Sequence, residues 1–241
     1  MKIKKELLQQ FVRETALSGE HSLKEVKLDF GPKGLDITRI TEGNHIFIKA
    51  QMPASSFEDY SELGKIGLLN YTEFQKVIAT LSEDITIRKE GNVLVLEGGR
   101  KVEIPLADES LIKDVTKTPD FEYPNTFTAN KRFFDEMINN LSFSLNKSDP
   151  IVIEFVGDKD MLKATYGTKY KYEDTLSVEI KERFELRFGV ALLNAVANIV
   201  GDLSLSMKNI KDENEEISGF PMTIEKITDL YSIRLIIAPR A

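Results

Sequence analysis

Apolar residues recur along the chain at two different spacings, and both occur near its start. Ile3, Leu7 and Phe11 lie three or four residues apart with polar residues between them, which predicts an amphipathic helix. From Val26 to Phe30 apolar and polar residues alternate, which is typical of a strand buried on one face. The chain therefore opens with a helix, and short strands follow it.

The same order of elements returns about 120 residues further along the chain. Self-similarity at this period indicates two tandem copies of one unit that combines helices with antiparallel strands, an α+β fold. The predicted helices, each followed by alternating strands, lie at residues 3–12, 74–81, 133–141 and 190–200.

The two copies are separated by a stretch that has neither spacing. Residues 107–123 are rich in charged side chains and carry Pro119, so we expect a connector that lies on the surface. This places an N-terminal domain at residues 1–106 and a C-terminal domain at residues 124–241.

Composition limits the kind of protein that these units can form. The chain has 241 residues, 41% apolar and 29% charged, as expected for globular domains, and no run approaches the length of a membrane-spanning helix. The absence of Cys excludes disulfides and thiolate sites, and two His residues argue against His-based zinc chemistry. A net charge of −7 argues against a uniformly basic surface that coats nucleic acid. We expect a soluble intracellular protein without metal or cofactor, in which any nucleic-acid contact uses a local basic stripe.

Several short runs together resemble the PCNA-type DNA sliding clamps, with an archaeal-like C-terminus. They are GLDITRI at 34–40, HIFI at 45–48, MPASSFEDY at 52–60, FPMTIE at 220–225 and IAPR at 237–240. The resemblance spans the whole chain in order. It implies a trimeric ring of six repeats that encircles double-stranded DNA without sequence specificity, with the helices lining a channel and the antiparallel sheets outside.

The family resemblance also implies a role without catalysis. Such a ring is a processivity factor in DNA replication and repair, and it tethers a DNA polymerase, nuclease and ligase through short peptide motifs. An ATP-driven clamp loader would open it, because this chain has no nucleotide-binding motif. The expected location is the cytoplasm or nucleoid of an archaeon, or the nucleus if the source is eukaryotic.

The resemblance places the helices next to the DNA, and their polar faces can be compared with that role. Cations on a channel-lining face would attract duplex phosphates. A single lysine is equally typical of any exposed helix, so only the pattern over several helices favours DNA. The fourth helix offers no cation on its free face. The candidate DNA-facing residues are Lys4, Lys5, Arg13, Lys76, Lys131 and Lys147.

The resemblance further implies a groove beneath the connector that takes a partner peptide. Ile40 and Ile236 can equally be core residues of a β-rich domain, and His45 can be a structural histidine. The candidate groove residues are Ile40, His45, Ile112, Val115, Pro221, Ile236, Ala238 and Pro239.

Ring closure in this family pairs the last strand of the first domain with a strand of the second domain. These strands are expected near residues 100–106 and 172–178, and Pro105 is typical of a strand edge. The sequence leaves homotrimer and heterotrimer both open. The candidate interface residues are Lys101, Val102, Ile104, Thr175, Leu176 and Val178.

Two other functions stay open from the residues. One is a checkpoint-type or other clamp-like scaffold subunit that binds proteins and does not serve a replicative polymerase. The other is a carboxylate-based, metal-dependent hydrolase. Its candidate carboxylates fall in turns and in a charged loop, where solvation is the common explanation, and they are Glu83, Asp84, Glu213, Glu215 and Glu216.

Overall fold

The structure is a computed structural model that describes residues 1–115, 117–144, 151–167, 171–211, 217–218 and 220–240. Within these residues it contains four α-helices and eighteen strands. The helices are α1 (Lys5–Thr15), α2 (Tyr71–Thr80), α3 (Lys131–Ser144) and α4 (Val190–Val196).

The strands are short and most belong to antiparallel hairpins. Those of the first half are β1 (Lys2–Ile3), β2 (Val26–Gly31), β3 (Gly34–Ile40), β4 (Ile46–Pro53), β5 (Gly64–Leu68), β6 (Ile85–Glu90), β7 (Val93–Glu97) and β8 (Lys101–Pro105). Those of the second half are β9 (Asn125–Ala129), β10 (Ile153–Asp158), β11 (Met161–Tyr166), β12 (Tyr172–Ser177), β13 (Phe184–Phe188), β14 (Leu203–Met207), β15 (Ile210–Lys211), β16 (Ile217–Ser218), β17 (Met222–Ile227) and β18 (Ser232–Ile237).

The chain divides into two compact units. The first unit contains Met1–Thr41, Phe47–Thr118 and Ile227–Arg234. The second unit contains Glu42–Ile46, Pro119–Lys226 and Leu235–Ala241. Each unit therefore takes segments from distant parts of the sequence.

In the first unit, two groups of strands cover the helices α1 and α2. One sheet has the order β1-β6-β7-β8, and β5, β2, β3 and β4 lie side by side in that order with antiparallel pairing. The apolar face of α1 is buried through Leu8, Phe11 and Val12, as its spacing predicts. The N-terminus of α2 is capped by Asn70, whose side chain accepts a hydrogen bond from the Glu73 backbone N–H at 2.9 Å.

The second unit repeats this arrangement. One sheet has the order β12-β11-β10-β13, and β14 lies between β17 and β9. The core includes Phe134 and Met137 from α3 and Leu192 and Val196 from α4, all fully buried. The predicted α+β fold of two tandem units with antiparallel sheets is confirmed.

Some element boundaries differ from the sequence prediction. Ile3 has helical spacing to Leu7 but belongs to β1, where it pairs with Ile85 of β6. Helix α4 ends at Val196 rather than near Val200. Six strands were not predicted from alternation, namely β1, β5, β9, β13, β15 and β16.

Candidate functional site

Three of the cations predicted to face DNA are exposed in the first unit. Lys4 occupies the position before the first turn of α1, and Arg13 lies in its last turn. Lys76 is exposed on α2, on the side opposite the buried residues Phe74 and Ile78. These side chains are available to solvent anions.

The other predicted cations have different surroundings. Lys5 is half-buried, and its backbone N–H donates to Asp84 Oδ1 at 3.4 Å. The side chain of Lys131 is only 15% exposed and forms an ion pair with Asp135 one turn along α3. Lys147 lies outside the described residues.

Helix α3 also carries a cation that the sequence prediction did not include. The side chain of Arg132 is 83% exposed and its Nε donates to Glu136 at 2.7 Å. Helix α4 contains no Lys or Arg, and Ala191 in its first turn is buried. The positive charge of the helices is therefore concentrated on α1, α2 and the start of α3.

In the first unit, the predicted groove residues lie at the end of β3 and on the connector. Ile40 and Val115 are half-exposed, whereas Ile112 is only 1% exposed. A Cβ on Gly67 of β5 would lie 3.1 Å from the Cδ1 of Ile112, so the missing side chain makes room for Ile112. Ile112 therefore anchors the connector and does not present its own side chain to a ligand.

Two cations from the sheet hold the connector next to Ile112. Lys27 of β2 donates to Asp114 Oδ1 at 2.6 Å, and this hydrogen bond lowers the pKa of the Asp114 carboxyl. Arg39 of β3 donates through Nη1 to the Lys113 backbone carbonyl at 2.8 Å, and it forms an ion pair with Glu25. These residues, apart from Glu25, line a polar groove of about 190 Å³. The rest of its lining is Asp29, Asp36, Thr38, Lys65, Ile112 and Val115.

In the second unit, the predicted residues lie along the last strand and the tail. Ile236 is 5% exposed, whereas Ala238 and Pro239 are half-exposed. The backbone N–H of Ala238 donates to the carbonyl of the exposed His45 at 2.9 Å. The tail is fixed again where the backbone N–H of Arg240 donates to a carbonyl of β13 at 2.8 Å.

An aromatic cluster holds the other end of the connector on the second unit. The rings of Phe121 and Phe220 meet edge to face with centroids 4.9 Å apart. Tyr123 donates through its hydroxyl to the backbone carbonyl of Pro221 at 2.9 Å. The ammonium of Lys208 lies 4.4 Å from the centroid of Phe220, within cation–π range. Pro221 is therefore held in place beside this cluster.

The strand β8, which carries three predicted interface residues, forms one edge of its sheet. The N–H of Leu106 donates to the Asn92 carbonyl, so Leu106 directs its backbone groups toward the neighbouring strand. In an antiparallel pair the residues of a strand alternate in this direction. The backbone groups of residues 101, 103 and 105 therefore point away from β7. Pro105, which lacks an N–H, therefore costs no hydrogen bond to β7. Lys101 is exposed and pairs with Glu103 at 2.5 Å. Val102 and Ile104 are half-exposed.

The strand β12 forms an edge of the corresponding sheet in the second unit. The N–H of Val178 donates to the Asp160 carbonyl at 3.1 Å, so residues 173, 175 and 177 direct their backbone groups outward. Thr175 is exposed and Leu176 is half-exposed on this strand. Val178 follows the last residue of β12 and is half-exposed.

Among the described residues, the carboxylates considered for catalysis do not form a cluster. Glu83 is exposed, and Asp84 accepts the backbone hydrogen bond from Lys5. Within the described residues, no three Asp, Glu or His side chains are grouped so as to hold a metal ion. None of the described helices is long and apolar enough to cross a membrane. Outside the described residues lie Glu213, Glu215 and Glu216.

Comparison with known proteins addresses the fold directly. No protein-family model matches the sequence. A chain of the PCNA2–PCNA3 complex from Sulfolobus tokodaii is similar with a TM-score of 0.76 at 18% identity, covering 100% of this chain and 99% of that chain. Proliferating cellular nuclear antigen from Entamoeba histolytica has a TM-score of 0.80 at 15% identity, covering 100% and 98%. PCNA from A. fulgidus, solved with the C-terminal region of FEN-1 bound, has a TM-score of 0.78 at 18% identity, covering 100% and 97%.

The chain has the fold of PCNA-type sliding clamps. The resemblance that the short runs indicated is thereby confirmed for the fold, along the full length of the chain.

Within this clamp fold, sequence reasoning missed the residues that hold the connector. Lys27 and Arg39 belong to ordinary alternating strands, and nothing in their spacing distinguishes them from solvated side chains. Tyr123 and Phe220 lie far apart in the sequence, although their rings are in contact with centroids 5.7 Å apart. The one available signal was the concentration of aromatic residues at 121–123, just before the second unit begins.

Proposed function

We propose that this chain is a subunit of a DNA sliding clamp. Three subunits form a ring around duplex DNA, and the ring tethers polymerase, nuclease and ligase partners without catalysing a reaction itself. The proposal rests on the likeness to PCNA structures over the whole chain, with TM-scores of 0.76 to 0.80. In this proposal residues 1–106 and 124–241 are the two clamp domains, and residues 107–123 are the connector.

The open edges of β8 and β12 support the ring. Among the strands that the structure describes, β8 and β12 each pair on one side only, and such edges are where another chain adds by backbone hydrogen bonding. Pairing β8 of one copy with β12 of the next joins unlike edges head to tail, and such contacts close into a ring when the rotation fits. The half-exposed Val102, Ile104 and Leu176 would then be covered.

The exposed cations Lys4, Arg13 and Lys76 support the contact with DNA. Non-specific attraction to phosphates is sufficient for a closed ring, because topology retains it on the duplex. The absence of Lys and Arg from α4 fits a grip that is uneven around the channel.

Partner peptides are proposed to bind beside the connector of the first unit, where Val115 and Ile40 are half-exposed apolar side chains. In the second unit, the predicted peptide-contact residues Ala238 and Pro239 are also half-exposed. The structure of A. fulgidus PCNA with the C-terminal region of FEN-1 provides a matching class of ligand.

One observation favours a second assembly. The similar chain from Sulfolobus tokodaii comes from a complex of PCNA2 with PCNA3, in which unlike chains associate. This chain would then be one subunit of a heteromeric ring.

Light scattering coupled to size exclusion, over a concentration series, tests the ring. A mass of about three times 27.3 kDa is expected for the homotrimer. A mass of one subunit at every concentration would contradict the homotrimer. The second experiment then adds sister clamp chains from the same genome, and the heteromeric ring predicts that a trimer forms. Monomer in both experiments would overturn the clamp assignment.

A further inference from the structure

Three successive residues of the connector are held by the sheet of the first unit. Ile112 is buried over Gly67, the Lys113 carbonyl accepts from Arg39, and the Asp114 carboxylate accepts from Lys27. We call these contacts the connector latch. One apolar and two polar contacts at consecutive residues leave the chain little freedom to shift along the sheet.

The side chains that donate in the latch are more buried than the carboxylate that accepts. The side chains of Lys27 and Arg39 are 14% and 12% exposed, so the surrounding sheet fixes both. Arg39 is held from its other side by the Glu25 carboxylate. The side chain of Asp114 is 61% exposed, so packing constrains it less than it constrains the two donors.

The latch adjoins a residue of the proposed peptide surface. Val115 follows Asp114 and lines the same groove as Lys27 and Arg39. We propose that Lys27 and Arg39 are positioning residues, which hold the connector at Lys113 and Asp114 and thereby set how tightly partner peptides bind beside it. The effect on peptides rests on the proposed function, whereas the hold on the connector does not.

The two arms of the latch respond differently to salt. The contact between Lys27 and Asp114 joins full charges at the surface, so dissolved ions screen it. The contact from Arg39 ends on a neutral backbone carbonyl, and screening weakens it less. As the salt concentration rises, the contact at Asp114 should therefore weaken more than the contact at Lys113.

Hydrogen exchange of the connector amides at residues 108–115 tests the latch in the intact protein. Lys27→Met keeps most of the aliphatic stem and removes the charge. At low salt it should accelerate exchange about two- to fivefold, the range that an exposed ion pair supports. Lys27→Arg keeps a donor for Asp114 and should restore slow exchange. The matched control Lys49→Met removes a lysine from β4, which is separated from β2 by β3, and should leave exchange unchanged.

Binding of a synthetic peptide of the FEN-1 C-terminal region, measured by fluorescence anisotropy, tests the consequence. Affinity should fall in Lys27→Met, recover in Lys27→Arg, and differ less between the variants as salt rises. Unchanged exchange in Lys27→Met would overturn the latch. Faster exchange with unchanged affinity would overturn the positioning role. A wild-type protein that binds no such peptide would contradict the proposed partner surface, and the exchange measurement would still decide on the latch.

Discussion

At the residue scale, several tyrosine hydroxyls are kept protonated by their surroundings. Burial is the main cause in each case, because it disfavours the phenolate. Tyr71 is fully buried and bonded to Thr15 at 2.7 Å, and its pKa is raised. The pKa of Tyr231 is raised by burial and by the buried carboxylate of Glu14, to which its hydroxyl donates at 2.9 Å.

The raised pKa of Tyr60 makes its contribution to stability measurable as a function of pH. Its hydroxyl donates to the Gly31 carbonyl at 2.7 Å. Burial, followed by the charges of Glu62, Asp36 and Asp29, raises its pKa to about 12. A raised pKa means that the folded state favours the protonated hydroxyl, so this contribution to stability is complete below the unfolded pKa of about 10. It is lost as the pH rises through about 12.

Tyr60→Phe removes the titrating hydroxyl. Between about pH 9 and about pH 11 the free energy of unfolding should fall by about 1 kcal/mol more in the wild type than in the variant, since one pKa unit corresponds to about 1.4 kcal/mol and partial exposure reduces it. Urea unfolding at both pH values measures the difference. Parallel loss of stability in both proteins would show that Tyr60 is not the group that titrates.

The predicted peptide-surface residues also differ in how deeply they are buried. Ile112 and Ile236 are core residues, at 1% and 5% exposure, whereas Val115 and Ala238 are accessible. Truncating either isoleucine would destabilise the fold as well as alter the surface, because large-to-small core changes cost about 2–5 kcal/mol. Val115 is the better position at which to test peptide contact.

At the element scale, the helices differ in the charge that they present. Arg13 on α1 and Lys76 on α2 are exposed, as is Lys4 directly before α1, whereas α4 carries no cation. If α1 and α2 face the duplex, their lysines release counterions on binding, and affinity then depends on salt.

Replacing Lys4, Lys5 and Lys76 together by Gln tests this face. On the proposed function, the slope of log affinity against log salt should become shallower by about 0.9 for each lysine that contacts a phosphate. Fluorescence anisotropy with duplex DNA over a salt series measures the slope. The matched control has the same loss of charge on turns and strands, through Gln at Lys33, Lys65 and Lys89. Equal slopes in the two variants would remove the helix lysines from DNA contact.

At the scale of the whole molecule, β8 and β12 each lie at the edge of a sheet within the described residues, and the proposed ring would join these two edges. In both strands alternate residues direct their backbone groups away from the sheet. Proline at such an outward position removes a donor from the edge without breaking the ladder inside the subunit, as Pro105 already does on β8.

Thr175→Pro should therefore weaken assembly and leave the subunit folded. Its N–H points outward, so the mass in solution should fall toward a single subunit while the unfolding midpoint changes little. Leu176→Pro is the matched variant, since its N–H points toward Leu162 of β11 and its loss should destabilise the subunit. Light scattering and thermal unfolding measure the two effects. A trimer that persists in Thr175→Pro would contradict pairing through β12.

The sequence by itself determined the alternation of helices and strands, the duplication, and the likeness to clamps. The helices and strands show in local spacing, because burial of one face is enough to produce the spacing of residues such as Leu8, Phe11 and Val12, and the duplication shows in the order of these elements. The prediction from spacing was wrong at Ile3, which belongs to β1 because it pairs with Ile85 of β6.

Only the tertiary structure decided which residues of the candidate sites are accessible and what holds the connector. Isoleucine has the same local pattern whether it lies in the core or at the surface, so the burial of Ile112 and Ile236 could not be predicted. The contact of Lys27 with Asp114 joins residues 87 positions apart, and that of Glu14 with Tyr231 joins residues 217 positions apart. The local spacing of apolar residues carries no information about such distant pairs. The grouping of Ile227–Arg234 with the first unit likewise arises from long-range packing, because the spacing of its residues is that of any strand.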